Sequence, residues 1–184
     1  MNNSNNILIC SDLHNTLLFS NKAWIDAFSS FINIPLNDIA KKVYQKQSRK
    51  QMAIQYNIDY HQVLEKYHTL VEPNTPLLKL LNVLNSLGIK IIVVSSASAE
   101  KVEKDYKKIE QFCPIEAYYN RDSFDKKNYD SWNNLRLQHN VEHILYIGND
   151  YEEDIINHPF VSSLIVGHFL KELIDNNILK NRSI

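Results

Sequence analysis

The sequence predicts an α/β fold, a doubly wound parallel sheet that carries an inserted helical subdomain. Two observations predict it. Short β-branched apolar runs alternate with amphipathic helical stretches over most of the 184 residues, which is typical of a parallel sheet covered by helices on both faces. The segment of residues 18–73, by contrast, has helical patterns and no convincing strand.

Five short apolar runs are the predicted strands. Each is rich in β-branched or aromatic residues and is followed by polar or turn-forming residues. In chain order these runs are residues 7–11, 89–95, 115–119, 143–148 and 162–167.

Helical stretches separate most of these runs. Residues 74–88 begin with Pro76 in the first turn, continue with leucines at helical spacing, and end on Gly88, which suits a left-handed closing position. Three further helices are predicted at residues 96–112, 125–140 and 150–158. Together with the strands they form a predicted core of residues 1–17 and 74–184.

The inserted segment, residues 18–73, is predicted to be a helical cap. Ser20 is placed to cap its first helix, in which Trp24, Phe28 and Phe31 share one face. Three more helical patterns follow Pro35. The spacing of the aromatic residues favours a role in the core of this segment.

Composition and charge argue against several classes of function. The 20 basic and 21 acidic side chains leave no net field that would attract nucleic acid or an anionic membrane. No apolar run approaches the roughly 20 residues of a membrane-spanning helix. The first residues are polar, and Cys10 and Cys113 lie far apart in the sequence, so neither secretion nor a disulfide framework is indicated. We therefore expect a cytoplasmic protein.

Polar side chains follow the predicted strands at the edge where parallel sheets bind ligands. Asp12 comes after the first strand, Ser95 ends the second, and Asp150 and Asp154 follow the fourth. Two lysines at 126–127 begin the helix that leads into the fourth strand. Carboxylates, a hydroxyl and an ammonium together suit a divalent cation beside a phosphoryl group.

Each of these signals alone also has an ordinary structural explanation. Asp12 suits a turn or a helix cap, Ser95 suits a turn, and lysines commonly lie on solvated helix surfaces. The order of the four signals, each at a strand end or helix start, favours the functional interpretation.

These residues resemble the motifs of the haloacid dehalogenase-like (HAD) superfamily, and the resemblance covers nearly the whole chain. The first family motif is an apolar strand followed by D-x-D-x-T, and "DLHNTL" keeps Asp12, Thr16 and Leu17. The second motif is a Ser or Thr that ends a hydrophobic strand, which "LNSLGIKIIVVSS" matches with Ser95.

The later motifs are a lysine and an acidic pair. Lys126 is preferred over Lys127 because the family often carries an aromatic residue six positions later, where Trp132 stands. The acidic pair after a strand and a glycine is matched by "IGNDYEED", with Asp150 and Asp154. Residues 18–73 match the position of a helical cap.

The resemblance implies a hydrolase, and specifically a phosphatase acting on the phosphate monoester of a small metabolite. Asp12 would attack phosphorus and form an aspartyl-phosphate that water then hydrolyses. Ser95, Ser96, Asn15 and Lys126 would bind the phosphate oxygens, and Lys126 would also neutralise charge on Asp12.

The resemblance also implies Mg²⁺ as the cofactor. Asp12, the backbone carbonyl of His14 and Asp150 would hold the ion, and Asp154 would bind it directly or orient its waters. Two spacings of the acidic motif occur in the family, so Asn149 is the alternative to Asp150. A carboxylate is the better ligand for a hard cation.

His14 departs from the family pattern, because the phosphatases carry there a second Asp that exchanges protons with the leaving group and water. Histidine also exchanges protons near neutrality, with an ordinary pKa of roughly 6.5, so a catalytic role is one interpretation. Two alternatives stay open. One is a binding module that has lost turnover, and the other is phosphonate cleavage through a cap lysine. The lysines considered for it are Lys41, Lys42, Lys46 and Lys50.

Overall fold

A five-stranded parallel sheet forms the centre of the computed structural model, which describes residues 6–166. Every neighbouring pair of strands is parallel, and their order is β3-β2-β1-β4-β5. The strands are β1 (Ile7–Ser11), β2 (Lys90–Val94), β3 (Ala117–Tyr119), β4 (His143–Gly148) and β5 (Val161–Ile165). The chain runs outward from β1 to β3 and then crosses to the other side, so the topological switch point lies between β1 and β4. The predicted α/β fold is confirmed.

Residues Leu18–Asn74 form a compact helical unit. Its helices are α1 (Ser20–Ser29), α2 (Leu36–Tyr44), α3 (Arg49–Gln55) and α4 (Tyr60–Leu70). The rings of Trp24 and Tyr67 stack with centroids 4.2 Å apart, and Phe28 is fully buried. Ser20, predicted as a cap, is instead the first residue inside α1. Whether this unit acts as a cap stays a prediction.

The sheet unit also contains three helices, α5 (Thr75–Ser86), α6 (Ala99–Tyr106) and α7 (Tyr129–Gln138). Strands β1 and β2 are buried along four of their five residues, because helices cover both faces of a parallel sheet. One buried cluster joins α7 to the sheet through Trp132, Leu135, Ile144 and Tyr146. As predicted, Gly88 closes α5 in the left-handed region, with φ of 88°.

Two predicted helices are shorter than the sequence pattern indicates. The helix predicted at 96–112 ends at Tyr106. The helix predicted at 125–140 begins at Tyr129, after Asn128 caps it by accepting a hydrogen bond from the Asp130 amide. Lys126 therefore lies in the loop before α7 and not inside a helix.

The prediction of a helix at residues 150–158 is wrong. Residues 151–154 form a turn, and no helix is present there. The Asp150 carboxylate accepts hydrogen bonds from the amides of Glu152 and Glu153, and the Asp154 carboxylate accepts from Asn149 and Asp150. Asp150 thus caps a single turn, which the Asp154 amide closes by donating to the Asp150 carbonyl at 2.8 Å, and the turn does not continue into a helix.

Parts of the predicted core, residues 1–5 and 167–184, lie outside the described residues, as does the end of the last predicted strand. Among the described helices, none is long and apolar enough to cross a membrane.

Candidate active site

Asp12 and Lys126 are the centre of a buried polar cluster at the carboxyl end of the sheet. Asp12 follows β1, and its amide donates to the carbonyl of Ile147 in β4, so the sheet itself fixes its backbone. The Lys126 ammonium lies 2.8 Å from Asp12 Oδ1 and 3.2 Å from Asp154 Oδ1. The three side chains are at most 10% exposed. The structure thus brings together three residues that are far apart in sequence.

The structure places Lys126, and not Lys127, against Asp12. The indole Nε1 of Trp132 donates a 2.7 Å hydrogen bond to the Lys126 carbonyl, which anchors that residue from within α7. Lys127 is exposed, and its amide donates to Asp125. The aromatic residue six positions after Lys126 therefore has a physical role, since it holds the backbone that presents the ammonium.

Asp154 accepts hydrogen bonds from both sides of the cluster. Besides Lys126, the Tyr146 hydroxyl donates to Oδ1 at 2.8 Å. The amides of Asn149 and Asp150 donate to Oδ2 at 2.9 and 3.0 Å. Charge-assisted hydrogen bonds of this kind are the strong ones in proteins. Asp154 therefore joins the loop after β4 to the lysine.

Gly148 makes the position of Asp154 possible. A Cβ atom at residue 148 would lie 2.4 Å from Asp154 Cβ and 2.5 Å from its carboxylate, a separation that Cβ atoms do not adopt. Glycine is needed where backbone and another group approach so closely. Any larger residue would displace Asp154 from its donors.

Two buried carboxyl groups face a single ammonium in this cluster. Burial raises the pKa of Asp12, and the charge of Asp154 raises it further, while Lys126 opposes both. Burial alone would lower the pKa of Lys126, but the two carboxylates outweigh this effect and raise it. Lys126 therefore stays protonated, whereas the raised pKa of Asp12 means that its ionised form lacks a full counter-charge in the chain itself.

The residues fit a hard divalent cation in charge and donor type. Across residues 6–166 no group of three or more His, Cys, Asp or Glu side chains is arranged as a ready metal site. However, the two buried carboxyl groups of Asp12 and Asp154 face a single lysine, and the nearby acid Asp150 also offers oxygen ligands. Asp154 already accepts four hydrogen bonds, which favours its role in organising the loop.

The ring of His14 lies between two polar groups. Nδ1 is 3.2 Å from the Ser95 hydroxyl, and Nε2 is 2.9 Å from Asp105 Oδ2. The Lys101 ammonium contacts His14 Nε2 and lies 2.7 Å from the same Asp105 oxygen. Ser95 is buried, and its hydroxyl accepts a hydrogen bond from the Ala97 amide. The predicted residues His14 and Ser95 are thus in direct contact.

The charges of His14, Asp105 and Lys101 are nearly balanced. Burial, followed by the charge of Lys101, lowers the pKa of His14 below its ordinary value. Burial alone would raise the pKa of Asp105, but the hydrogen bond from His14 and the charge of Lys101 lower it well below its usual range. Asp105 and Lys101 therefore form an ion pair beside the neutral imidazole of His14.

Three residues of the site were not predicted. Asp105 and Lys101 lie on α6, and Tyr146 lies in β4. The sequence did contain an indication of Asp105, since this residue shares a helical stripe with Val102 and Ile109. An acid on an apolar stripe is expected to have a buried partner. The sequence contains no such indication of Tyr146, because a tyrosine in an apolar strand resembles an ordinary core residue.

Two predicted phosphate ligands lie beside residues of the site. Asn15 follows His14 and adopts a positive φ of 62°, which asparagine tolerates better than most residues. Ser96 is exposed and follows Ser95. Their phosphate-binding role stays a prediction. Thr16 donates a hydrogen bond to Asn149 Oδ1 at 3.3 Å, which links the loops after β1 and β4.

One protein-family model matches most of the chain. The model of the family described as "Haloacid dehalogenase-like hydrolase" matches residues 2–157. No curated protein sequence matches the chain.

Three similar solved structures share the fold. They are a hydrolase from Streptococcus pneumoniae TIGR4 (18% identity, 94% of this chain and 99% of that chain, TM-score 0.61), a HAD family hydrolase from Deinococcus radiodurans R1 with bound phosphate and sodium (14%, 94% and 96%, 0.61), and a protein from Haemophilus somnus 129PT described as a predicted phosphoglycolate phosphatase (15%, 86% and 84%, 0.53). At these identities the likeness concerns the fold.

Proposed function

The chain belongs to the haloacid dehalogenase-like hydrolase family, and on that premise we propose that it is a Mg²⁺-dependent phosphatase acting on the phosphate monoester of a small metabolite. The observation that carries the proposal is the buried Asp12 carboxylate, 2.8 Å from the Lys126 ammonium at the end of β1. The phosphate bound in the similar structure from Deinococcus radiodurans agrees with this chemistry.

In the first proposed step, Asp12 attacks phosphorus. A bond forms between a carboxylate oxygen and phosphorus, and the bond from phosphorus to the leaving alkoxide breaks. Lys126 and Ser95 bind the phosphoryl oxygens. The reacting form is the one in which His14 is protonated, a minority at neutral pH because burial lowers the pKa of His14, and it gives its proton to the leaving oxygen. The products of this step are an alcohol and an aspartyl-phosphate.

In the second proposed step, water hydrolyses the aspartyl-phosphate. The neutral His14 ring accepts a proton from the water while the water oxygen attacks phosphorus, and Asp12 leaves as a carboxylate. The step releases inorganic phosphate and restores the protonated imidazole for the next cycle.

Asp12, the backbone carbonyl of His14 and Asp150 are the groups that would hold Mg²⁺. The charge of the ion would offset the repulsion between a carboxylate nucleophile and an anionic phosphoryl group. Asp154 would position this set indirectly, through the Asp150 amide and Lys126.

The proposal is tested by phosphate release from a panel of phosphorylated metabolites, with and without Mg²⁺. Asp12→Asn removes the nucleophile with little change of shape, and Asp122→Asn, at an exposed loop position, is the matched control. We expect release by the wild type and the control and none by Asp12→Asn. Equal inertness of the wild type and Asp12→Asn toward every ester would reject the phosphatase.

That result would favour the binding module that has lost turnover. Such a module predicts calorimetric binding of inorganic phosphate without turnover. The phosphonate-cleaving alternative predicts release of phosphate from a phosphonate and its loss on borohydride treatment in the presence of substrate. The lysines considered for it belong to the helical unit, with Lys41 and Lys42 on α2 and Lys50 on α3.

A further inference from the structure

The two faces of strands β1, β4 and β5 differ in how well they are covered. On the face that packs against α7, Ile144 and Tyr146 of β4 are fully buried. On the opposite face Leu145 of β4 is only half-buried, Leu164 of β5 is 48% exposed, and Ile7 of β1 is 45% exposed. The strand register places these last three side chains on one face. Parallel sheets are covered on both faces, so this apolar surface is expected to have a partner.

Helix α5 has an apolar flank beside this surface. Leu80, Leu84 and Leu87 follow one another at intervals of four and three residues, so they lie along one side of the helix. Leu80 is 56% exposed and Leu87 is 64% exposed. A right-handed connection from β1 through α5 to β2 places α5 on the face opposite α7 and turns this flank toward β1 and β4. The sheet and the helix together form one surface, which we call the open face and which consists of Ile7, Leu80, Leu84, Leu87, Leu145 and Leu164.

The chain continues beyond the described residues with a segment whose sequence suits the open face. Within residues 167–184, apolar side chains recur at helical spacing, with charged residues at 171, 172 and 175 on the other side. The apolar positions are Leu170, Leu173, Ile174 and Ile178. A helix over residues 168–179 would be about 18 Å long, close to the roughly 16 Å of a five-residue strand such as β5.

The point at which the chain leaves the sheet also favours this segment. Strand β5 ends at Ile165, one residue after Leu164 of the open face, and Gly167 follows almost at once as a residue that suits a tight turn. A segment tethered so close has a high effective concentration at the surface. A second copy of the chain would have to associate from solution.

We propose that residues 168–179 form an amphipathic helix that docks on the open face, with Leu170, Leu173 and Ile174 against Leu145, Leu164 and the apolar flank of α5. The docked helix covers β4, the strand that leads to Gly148 and the acidic loop of the site. This proposal does not depend on the phosphatase activity.

The first test is hydrogen exchange of the full chain, measured by mass spectrometry. A short isolated helix is marginal in water, so slow exchange of the amides of residues 168–179 reports docking. We expect these amides to exchange at least about tenfold more slowly than in a synthetic peptide of the same sequence. Equal exchange in the full chain and in the peptide would overturn the proposal.

A variant of the open face shows whether the protection depends on that surface. We expect Leu164→Lys to abolish the slow exchange of residues 168–179 while the amides of α7 stay protected, which shows that the sheet remains folded. Leu137→Lys, at an exposed apolar position of α7, is the matched control and should leave the protection unchanged. Slow exchange that persists in Leu164→Lys would contradict docking on the open face.

The second test changes the segment itself. Leu173→Lys should lower the melting temperature by about 5 °C, because it removes a buried leucine, whereas Asp175→Lys on the charged side should leave it unchanged. The double variant Leu164→Lys/Leu173→Lys should lose less than the sum of its single losses, since both changes break the same contact. Additive losses, or equal melting of Leu173→Lys and Asp175→Lys, would contradict the contact.

Sedimentation of the same proteins tests the other partner for this surface. We expect the mass of the wild type in solution to be unchanged in Leu164→Lys, because the partner belongs to the same chain. A wild-type dimer that Leu164→Lys dissociates would show that a second copy covers the open face, and the proposal would be wrong.

Discussion

The hydroxyl of Tyr146 donates a 2.8 Å hydrogen bond to Asp154 Oδ1, the same oxygen that accepts from Lys126. Tyr146 is fully buried, and its ring lies 5.2 Å from the lysine ammonium. Burial raises the pKa of Tyr146, so the hydroxyl keeps its hydrogen. A residue of the hydrophobic core thus stabilises the polar site directly.

Tyr146→Phe should therefore weaken both the fold and the site. Removal of the hydroxyl leaves a buried carboxylate without one of its donors, which lowers the free energy of unfolding by about 1–3 kcal/mol. Urea unfolding measures this loss, and phosphate release measures the accompanying fall in kcat. Tyr118→Phe, on edge strand β3, is the control. Equal stability of the two variants would contradict the role given to the hydroxyl.

Gly148→Ala should reduce activity more than its effect on stability explains. The added methyl group would meet Asp154 Cβ at 2.4 Å, and overpacking of this kind costs about 1–3 kcal/mol. Gly88→Ala is the matched control, since its φ of 88° also strains an added side chain, at the end of α5. We expect both variants to melt at lower temperature, but only Gly148→Ala to lose kcat. Loss of kcat in both would show a general effect of instability.

Lys126→Met and Lys127→Met should differ in activity, although the two lysines are adjacent in the sequence. The Lys126 ammonium contacts two buried carboxylates, whereas Lys127 is exposed. Loss of a preorganised positive charge typically costs about 100-fold in rate, so we expect a fall of this order in kcat/KM for Lys126→Met. Lys127→Met should keep wild-type kinetics. The prediction is wrong if the two variants lose activity equally.

The sheet could be predicted because its strands leave a local signal. Strand β1 was expected at residues 7–11 and β4 at residues 143–148, and the observed strands have these bounds. Burial on both faces demands a continuous apolar run, and such a run is visible in the sequence without knowledge of its neighbours.

The rest of the site depends on contacts between distant parts of the chain. Asp105 meets His14 across 91 positions, and Lys126 meets Asp12 across 114. Lys126 was predicted from a family motif, whereas no family motif includes Asp105. The helix predicted at residues 150–158 shows the limit of local signals, since Asp150 does cap a helical-type turn, but the turn ends at Asp154, whose carboxylate accepts hydrogen bonds from Lys126 and Tyr146.

Mg²⁺ should stabilise the folded protein through the proposed oxygen ligands. A ligand at 100 times its dissociation constant adds about 2.7 kcal/mol to the free energy of unfolding, which a thermal melt detects without any substrate. We expect Mg²⁺ to raise the melting temperature of the wild type and of Glu152→Gln, at an exposed neighbouring position. Asp150→Asn should reduce the shift. An equal shift in Asp150→Asn would exclude Asp150 as a ligand.

His14→Ala should change how the rate depends on the leaving group. A general acid matters most when the leaving oxygen is strongly basic, as in an alkyl phosphate, and least for 4-nitrophenyl phosphate. We therefore expect kcat/KM to fall by about 100-fold for ethyl phosphate or another alkyl ester that the wild type cleaves, and by much less for the nitrophenyl ester. His61→Ala, in the helical unit, should leave both values unchanged. Since Nδ1 of His14 contacts Ser95, some loss of phosphate binding is also expected, but it would lower kcat/KM for both esters alike. An equal loss for the two esters would therefore assign His14 to phosphate binding and remove it from proton transfer.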